Sequence, residues 1–230
     1  MAHEQFFFSQ GIRDELILIE GGEHLHLSRV MRKNTGDRIW IADGKGTAYH
    51  AEITDIGKES THCKILERHQ GFGEPRNKVS LAVGIIKPAH WEILLEKAVE
   101  LGVHEICPLI TRYTIVPGIK RERCEKILMA AMKQSGRSYL PRLHDPLPYK
   151  DLFSSKRTGT VYLCDNQEDY PDLDPGRENA EYLVLIGPEG GFSPEEAGLA
   201  IAHGAKPVLL ANRRLRTETA CMAALSRLVV

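Results

Sequence analysis

The last two thirds of the chain, residues 78–230, alternate between short apolar runs and segments with apolar residues at helical spacing. Runs without polar alternation are typical of strands that are buried on both faces of a parallel sheet. The predicted strands are 79–86, 103–110, 160–165, 181–187 and 207–211. The predicted helices are 88–101, 119–135, 194–203 and one that begins near Thr217. This order predicts an α/β domain with a mostly parallel sheet and helices on both faces.

The first third has a different pattern. Between residues 12 and 66, short segments with β character are separated by turn signals, which predicts a small β barrel. The segments are 37–43, 47–54 and 60–66, with helical spacing at 22–32. A stretch rich in Gly and Pro follows, so we expect a first domain at 1–70, a linker at 71–77 and a second domain at 78–230.

A glycine-rich loop, GPEGGF at 187–192, interrupts the pattern between a predicted strand and a predicted helix. Ser193 is a predicted N-cap, with Pro194 at the first helical position and Glu196 completing a capping box. The loop lacks the spacing of phosphate-binding or dinucleotide-binding loops, and Glu189 would repel a pyrophosphate. It suits a ligand that offers donors or positive charge, or else a purely structural turn.

Three polar loops follow predicted parallel strands, at 165–169, 187–192 and 212–220. Because ligands bind beyond the carboxyl ends of strands in such sheets, we expect these loops to form one site. Thr217 is the predicted N-cap of the last helix. Arg213, Arg214 and Arg216 lie just before it and are either solvated or functional.

The composition of the 230 residues is that of an ordinary soluble protein, with 42% hydrophobic and 27% charged residues. No apolar run approaches the roughly 20 residues of a membrane helix, and no secretory signal is recognisable. Five cysteines lack a CxxC pair, and His24 and His26 lack a third ligand nearby, so no metal site is predicted. A cytoplasmic protein is expected.

Charge is unevenly distributed although the net charge is −1. Between Arg112 and Arg142, eight basic residues stand against two acidic ones. Further basic clusters lie at 29–38 and 206–227. Such segregation can steer a polyanion to one face, although solvated helices often carry similar runs.

Four ordered segments resemble motifs of the 16S ribosomal RNA (uracil-N3)-methyltransferase family of the SPOUT superfamily. They are HLSRVMRKNTGD (26–37), EKAVELGVHEICPL (96–109), AMKQSGRSYLP (131–141) and the pair LIGPEGGFSPEE (185–196) with LLANRRLRTETA (209–220). The resemblance implies a PUA-like β barrel, a SPOUT α/β domain with a C-terminal trefoil knot, a homodimer, and S-adenosylmethionine as cofactor. The chain departs from the family pattern at Ala211, usually glycine, and at Arg214, usually aliphatic.

The implied substrate is a uridine of 16S ribosomal RNA, free or in the assembled small subunit, methylated at N3. The implied cofactor residues are Leu163, Ile186, Gly187, Glu189, Gly190, Gly191, Leu210, Ala211, Asn212, Leu215, Arg216, Thr217 and Thr219. The residues expected to contact RNA phosphates are Arg29, Arg32, Lys33, Lys87, Arg112, Arg137 and Arg142.

Methylation at N3 requires removal of the imide proton, and the candidate catalytic residues follow from that need. Arg216 is expected to stabilise the uracil anion, and Glu218 or Glu189 to accept the proton, although Glu218 could equally be a helix-capping acid. The alternatives are methylation of another RNA, an RNA-binding assembly factor without catalysis, and a metabolic α/β enzyme with surface arginines.

Overall fold

The computed structural model describes residues 6–115, 118–154, 158–166, 169–174 and 178–229. The chain forms two compact units, Met1–Glu74 with Met129–Leu140, and Pro75–Leu128 with Pro141–Val230. Residues 129–140, which the sequence pattern assigned to the second domain, thus pack within the first unit. The periodicity of a segment does not show which distant part of the chain the segment packs against.

The first unit contains a six-stranded sheet. Its strands are β1 (Phe6–Phe8), β2 (Gly11–Arg13), β3 (Leu16–Glu20), β4 (Arg38–Ala42), β5 (Thr47–Ile56) and β6 (Ser60–Gln70), in the order β1-β4-β5-β6-β3-β2. All pairs are antiparallel except β1 with β4. Side chains such as Phe7, Ile19 and Ile41 form its buried core. The predicted helical segment 22–32 becomes α1 (Gly21–Leu25) and a π-helical turn, His26–Val30.

The second unit is built on a seven-stranded sheet in which every strand pair is parallel. Its strands are β7 (Lys78–Gly84), β8 (Glu105–Ile110), β9 (Arg142–Leu143), β10 (Leu147–Pro148), β11 (Thr160–Cys164), β12 (Glu181–Ile186) and β13 (Lys206–Val208). The order is β10-β8-β7-β12-β11-β13, with β9 paired to β8. The predicted parallel α/β arrangement is therefore confirmed.

The helices follow the predicted segments closely. They are α2 (Pro88–Glu100), α3 (Arg121–Ser135), α4 (Pro194–Ala202) and α5 (Thr217–Leu228), with a 3-10 turn at Tyr149–Phe153. The predicted strand 207–211 is wrong in its second half, because the regular pairing of β13 ends at Val208. The two-residue strands β9 and β10 were missed since such short segments show no periodicity.

The predicted capping box of α4 is confirmed. The Glu196 backbone N–H donates to Ser193 Oγ at 3.2 Å, and the Ser193 backbone N–H donates to Glu196 Oε2 at 2.8 Å. The predicted cap of α5 is wrong, because Arg216 occupies the N-cap position. Thr217 is instead the first helical residue, and its hydroxyl donates to the Gly187 carbonyl at 3.0 Å.

Asn77 joins distant parts of the second unit. This buried side chain donates from Nδ2 to the Leu228 carbonyl at 2.7 Å and accepts the Ala180 N–H at 2.9 Å. Asn77→Ala leaves the Leu228 carbonyl and the Ala180 N–H without this hydrogen-bond partner. The substitution is expected to lower the free energy of unfolding by about 2–3 kcal/mol. Urea denaturation measures the loss, with the exposed Asn212→Ala as control. A loss below about 0.5 kcal/mol would show that water replaces the amide.

Candidate functional site

A cleft with a volume of about 1220 Å³ lies at the carboxyl edge of the parallel sheet. The loops after β11, β12 and β13 all contribute to its walls, together with Lys87 and His90 at the start of α2. The loops meet because parallel strands end at the same edge. The three polar loops thus line one cleft, as expected from their positions at strand ends, and its role as a ligand site stays a prediction.

Close backbone packing explains several glycines around the loop at 187–192. A Cβ on Gly84, at the end of β7, would lie 2.3 Å from Cδ of Pro188. A Cβ on Gly187 would lie 2.7 Å from the carbonyl carbon of Gly191, and one on Gly190 would lie 2.8 Å from Cβ of Tyr113. The loop therefore needs these glycines for its own packing, and their approach to a ligand stays a prediction.

Two hydrogen bonds join the glycine-rich loop to the start of α5 and to the loop that precedes this helix. One is the Thr217 hydroxyl bond to the Gly187 carbonyl. In the other, Nη2 of Arg214 donates to the Glu189 carbonyl at 2.7 Å. Arg214, one of the two residues that depart from the pattern of the resembled family, therefore links two walls of the cleft by a hydrogen bond.

We expect Arg214→Leu to weaken ligand binding in this cleft by about three- to tenfold, since one charge-assisted hydrogen bond between its walls is lost. Isothermal titration with S-adenosylmethionine, the cofactor that the resemblance implies, measures the change. Arg213→Leu is the matched control, because this exposed neighbour lines the same cleft. Equal effects of the two substitutions would indicate that general charge, rather than the hydrogen bond to Glu189, determines affinity.

An imidazole and a carboxylate are paired inside the cleft. Nδ1 of His90 lies 2.9 Å from Oε1 of Glu218, and the two side chains are 36% and 12% exposed. The first turns of α2 and α5 supply these residues. Sequence reasoning missed His90, although its position just after the carboxyl end of a buried strand was the available signal. Glu218 lies in the first turn of α5, as its helix-capping alternative required, and also faces the cleft.

The cleft carries both signs of charge. Its lining includes Lys87, Arg213, Arg214 and Arg216 on the basic side and Asp165, Glu189 and Glu218 on the acidic side. Within the described part of the chain, no acidic group pairs with Arg216, which is exposed. Burial raises the pKa of Cys164 to about 12 and raises the pKa of Cys221 well above its usual value. Both thiols are therefore neutral near pH 7, and neither supplies a thiolate nucleophile.

The structure brings most predicted cofactor and catalytic residues together. Those in the cleft lining are Ile186, Gly187, Glu189, Gly190, Gly191, Leu210, Ala211, Asn212, Leu215, Arg216, Thr217 and Glu218. Leu163 is fully buried within β11 and Thr219 is exposed on α5, and neither lines the cleft. The contact expected of Leu163 is one by its backbone, and the cofactor roles of both residues stay predictions.

The predicted RNA-contacting residues fall into two groups. In the first unit, Arg29 and Arg32 are exposed and Lys33 is half-buried; in the second unit, Lys87, Arg112 and Arg142 are exposed. Arg137 is different. It is buried in the first unit, where its guanidinium donates to Glu74 at 2.6 Å. This placement argues against phosphate contacts by Arg137, because the buried guanidinium is already paired with a carboxylate.

The basic stretch between Arg112 and Arg142 is less positive in the fold than in the sequence. Acidic partners from distant segments neutralise four of its cations. The pairs are Arg121 with Asp145, Arg123 with Glu92, Lys133 with Glu23, and Arg137 with Glu74. The electrostatic attraction for a polyanion therefore rests on fewer residues than the sequence indicated.

The described ranges of the chain contain no group of three or more His, Cys, Asp or Glu residues placed to hold a metal ion. Among the helices described, none is long and apolar enough to cross a membrane.

Comparison with known protein families identifies the class. A family described as RNA methyltransferase domain matches residues 73–229, and one described as RNA methyltransferase PUA domain matches residues 15–66. The cleft lies in the first of these regions. The fold is thus that of an RNA methyltransferase, in which a PUA-like domain precedes a parallel-sheet domain.

Individual relatives narrow the assignment. The chain is 33% identical to ribosomal RNA small subunit methyltransferase E of Mesomycoplasma hyopneumoniae, over 74% of this chain and 77% of the relative. It is 30% identical to the protein of that name from Synechocystis, over 99% of this chain and 77% of the relative. The chain belongs to the ribosomal RNA small subunit methyltransferase E family.

Solved structures agree with this assignment. The Neisseria gonorrhoeae ribosomal RNA small subunit methyltransferase E, bound to S-adenosyl methionine, superposes with a TM-score of 0.86 at 27% identity, covering 97% of this chain and 95% of that one. A putative methyltransferase of Legionella pneumophila, also in complex with that cofactor, has a TM-score of 0.81 at 28% identity, covering 97% and 96%.

Proposed function

We propose that this protein transfers the methyl group of S-adenosylmethionine to N3 of one uridine in the 16S ribosomal RNA of the small ribosomal subunit. The observation that carries the proposal is the cleft, in which Arg216 stands without an acidic partner among the described residues, beside carboxylates and an imidazole. The names of the relatives and the cofactor bound by two solved neighbours support the same activity.

The residues of the cleft fit the cofactor chemically. Its volume of about 1220 Å³ exceeds what a drug-sized ligand needs. Ile186, Phe192 and Leu210 offer apolar contacts for an adenine ring, and Glu189 offers a carboxylate for a positively charged ligand. When bound, S-adenosylmethionine supplies a methyl carbon whose bond to sulfur breaks as the electron pair of uracil N3 attacks. The departure at Ala211 lies in the same lining.

The chain's own residues must present the uridine and remove its proton. N3 lies on the Watson-Crick edge, so the base has to be unpaired or flipped out. Arg216 then stabilises the uracil anion that forms when the imide proton leaves. Glu189 and Glu218 are the two carboxylates that the sequence offered as proton acceptors.

The RNA partner is recognised mainly through its phosphates. Arg29, Arg32 and Lys33 in the first unit and Lys87, Arg112 and Arg142 in the second carry this contact. Binding to 16S ribosomal RNA, or to the assembled subunit, should therefore weaken steeply with salt. We place the reaction in the cytoplasm.

The proposal includes a knotted chain and a homodimer, both implied by the family resemblance. In support of the trefoil knot, α5 returns from the outermost strand β13 to pack against α2 and against the central strands β12 and β7. In support of self-association, Tyr113 and Ile115 are 45% and 71% exposed. Light scattering of the purified protein should give twice the mass of one chain.

The test is methylation of 16S ribosomal RNA and of small subunits by the purified protein with labelled S-adenosylmethionine. Nucleosides from the digested RNA should contain N3-methyluridine when identified by mass spectrometry. Label in transfer RNA or on a ribose hydroxyl would indicate a different substrate. Cofactor binding without label in any RNA would indicate an assembly factor.

A further inference from the structure

The pair formed by His90 and Glu218 has the geometry of a proton-accepting dyad. The two residues come from helices far apart in the sequence, and Nδ1 of His90 lies 2.9 Å from Oε1 of Glu218. Both line the cleft that also holds Arg216. Because Glu218 is largely buried, its carboxylate keeps a fixed position against the ring.

The hydrogen bond to Glu218 determines which ring nitrogen of His90 carries the hydrogen. An ionised carboxylate only accepts hydrogen bonds, so Nδ1 carries the hydrogen in this contact. In the neutral ring, Nε2 then holds the lone pair. Among the described residues, none is hydrogen-bonded to Nε2 of His90. Nε2 of His90 is thus available as a base in the cleft, and the Glu218 carboxylate determines the orientation of the ring. A carboxylate orients the histidine of catalytic triads in the same way.

We propose that His90 accepts the N3 proton of uracil and that Glu218 positions its ring, an inference that rests on the proposed function. The N3–H bond breaks, its electron pair stays on N3, and the proton bonds to Nε2 of His90. Glu218 stabilises the resulting imidazolium, which later returns the proton to water. Arg216 stabilises the negative charge on uracil during this step.

The other carboxylate of the cleft is less suited to this task. Glu189 is exposed, and among the described residues its side chain accepts only a long hydrogen bond of 3.4 Å, from the Lys87 backbone N–H. Imidazole is also a stronger base than a carboxylate and matches an acidic imide more closely. The structure therefore assigns Glu218 a positioning role, rather than that of the direct acceptor.

The test combines variants with a measurement on the unmodified protein. His90→Ala and His90→Gln should each lower the methylation rate by about 10²–10³-fold, with the dissociation constant of S-adenosylmethionine changed less than twofold in calorimetry. Added imidazole should raise the methylation rate of His90→Ala at least tenfold above its rate without imidazole. Nitrogen NMR of wild-type protein should show hydrogen on Nδ1 of His90, and Glu218→Gln should change that signal.

A second histidine–glutamate pair provides the control. Nε2 of His144 lies 2.8 Å from Oε2 of Glu105, outside the cleft lining, and the two side chains are 30% and 27% exposed. His144→Gln should retain the wild-type rate. The inference is overturned if His90→Gln keeps wild-type activity, if imidazole restores nothing to His90→Ala, or if hydrogen resides on Nε2. Absence of N3-methyluridine with wild-type protein would instead refute the proposed function.

Discussion

Arg216→Ala is expected to lower the methylation rate by about 10²–10³-fold, the usual effect of removing one preorganised group that stabilises an anion. Arg216 is exposed at the N-cap position of α5 and makes no side-chain capping hydrogen bond. Removing its guanidinium should therefore change the free energy of unfolding by less than about 0.5 kcal/mol. The substitution should therefore lower the methylation rate without unfolding the protein.

The measurement compares initial rates of label transfer to RNA with cofactor affinity from calorimetry. Arg216→Lys keeps the charge but not the planar fork of donors, so it should recover only part of the rate. Arg213→Ala is the matched control, because Arg213 is also exposed and lines the same cleft. If Arg216→Ala weakened cofactor binding as strongly as it slowed transfer, Arg216 would serve the cofactor instead of the uracil anion.

Gly84→Ala should cost both stability and cofactor affinity. The added Cβ would lie 2.3 Å from Cδ and 2.6 Å from the backbone nitrogen of Pro188, in a buried position where neither atom belongs to a flexible side chain. The glycine-rich loop must therefore move. We expect a loss of about 2–3 kcal/mol in the free energy of unfolding, typical of overpacking. Since the same loop forms a wall of the cleft, S-adenosylmethionine should bind at least about tenfold more weakly.

Gly198→Ala is the control for this substitution. Gly198 is exposed within α4, and apart from its chain neighbours and the backbone of its own helix, no atom of the described residues lies within 4 Å of a Cβ placed there. Alanine should raise the free energy of unfolding by about 0.5–1 kcal/mol, because glycine is unfavourable inside a helix. Urea denaturation and calorimetry distinguish the two variants. Unchanged cofactor binding in Gly84→Ala would mean that the loop can move without disturbing the cleft.

The elements that local chemistry defines were predictable. The capping box of α4 depends on residues three positions apart, and Ser193 and Glu196 form it as expected. The parallel strands were recognisable because burial on both faces selects continuous apolar runs. Thr217 satisfied the same local rule for an N-cap, yet its hydroxyl bonds to Gly187 in another loop. A tertiary partner replaced the local one.

Charge was less predictable than secondary structure. The sequence shows which residues are ionised but not which are paired, and Arg137 illustrates the difference. It stands in a basic stretch, yet Glu74, more than sixty positions away, accepts its hydrogen bonds in a buried site. Burial and pairing depend on folded distances, so a count of cations along the chain overstates the charge available to RNA.

By itself, the sequence determined the parallel α/β architecture, the capped helix after the glycine-rich loop, and three polar loops at strand ends. These features follow from periodicity and short-range hydrogen bonding. Only the tertiary structure decided that His90 meets Glu218 across 128 positions, that Arg214 holds the Glu189 carbonyl, and that Pro188 leaves no room for a side chain at Gly84. Contacts between distant segments depend on how the elements pack, which local pattern does not specify.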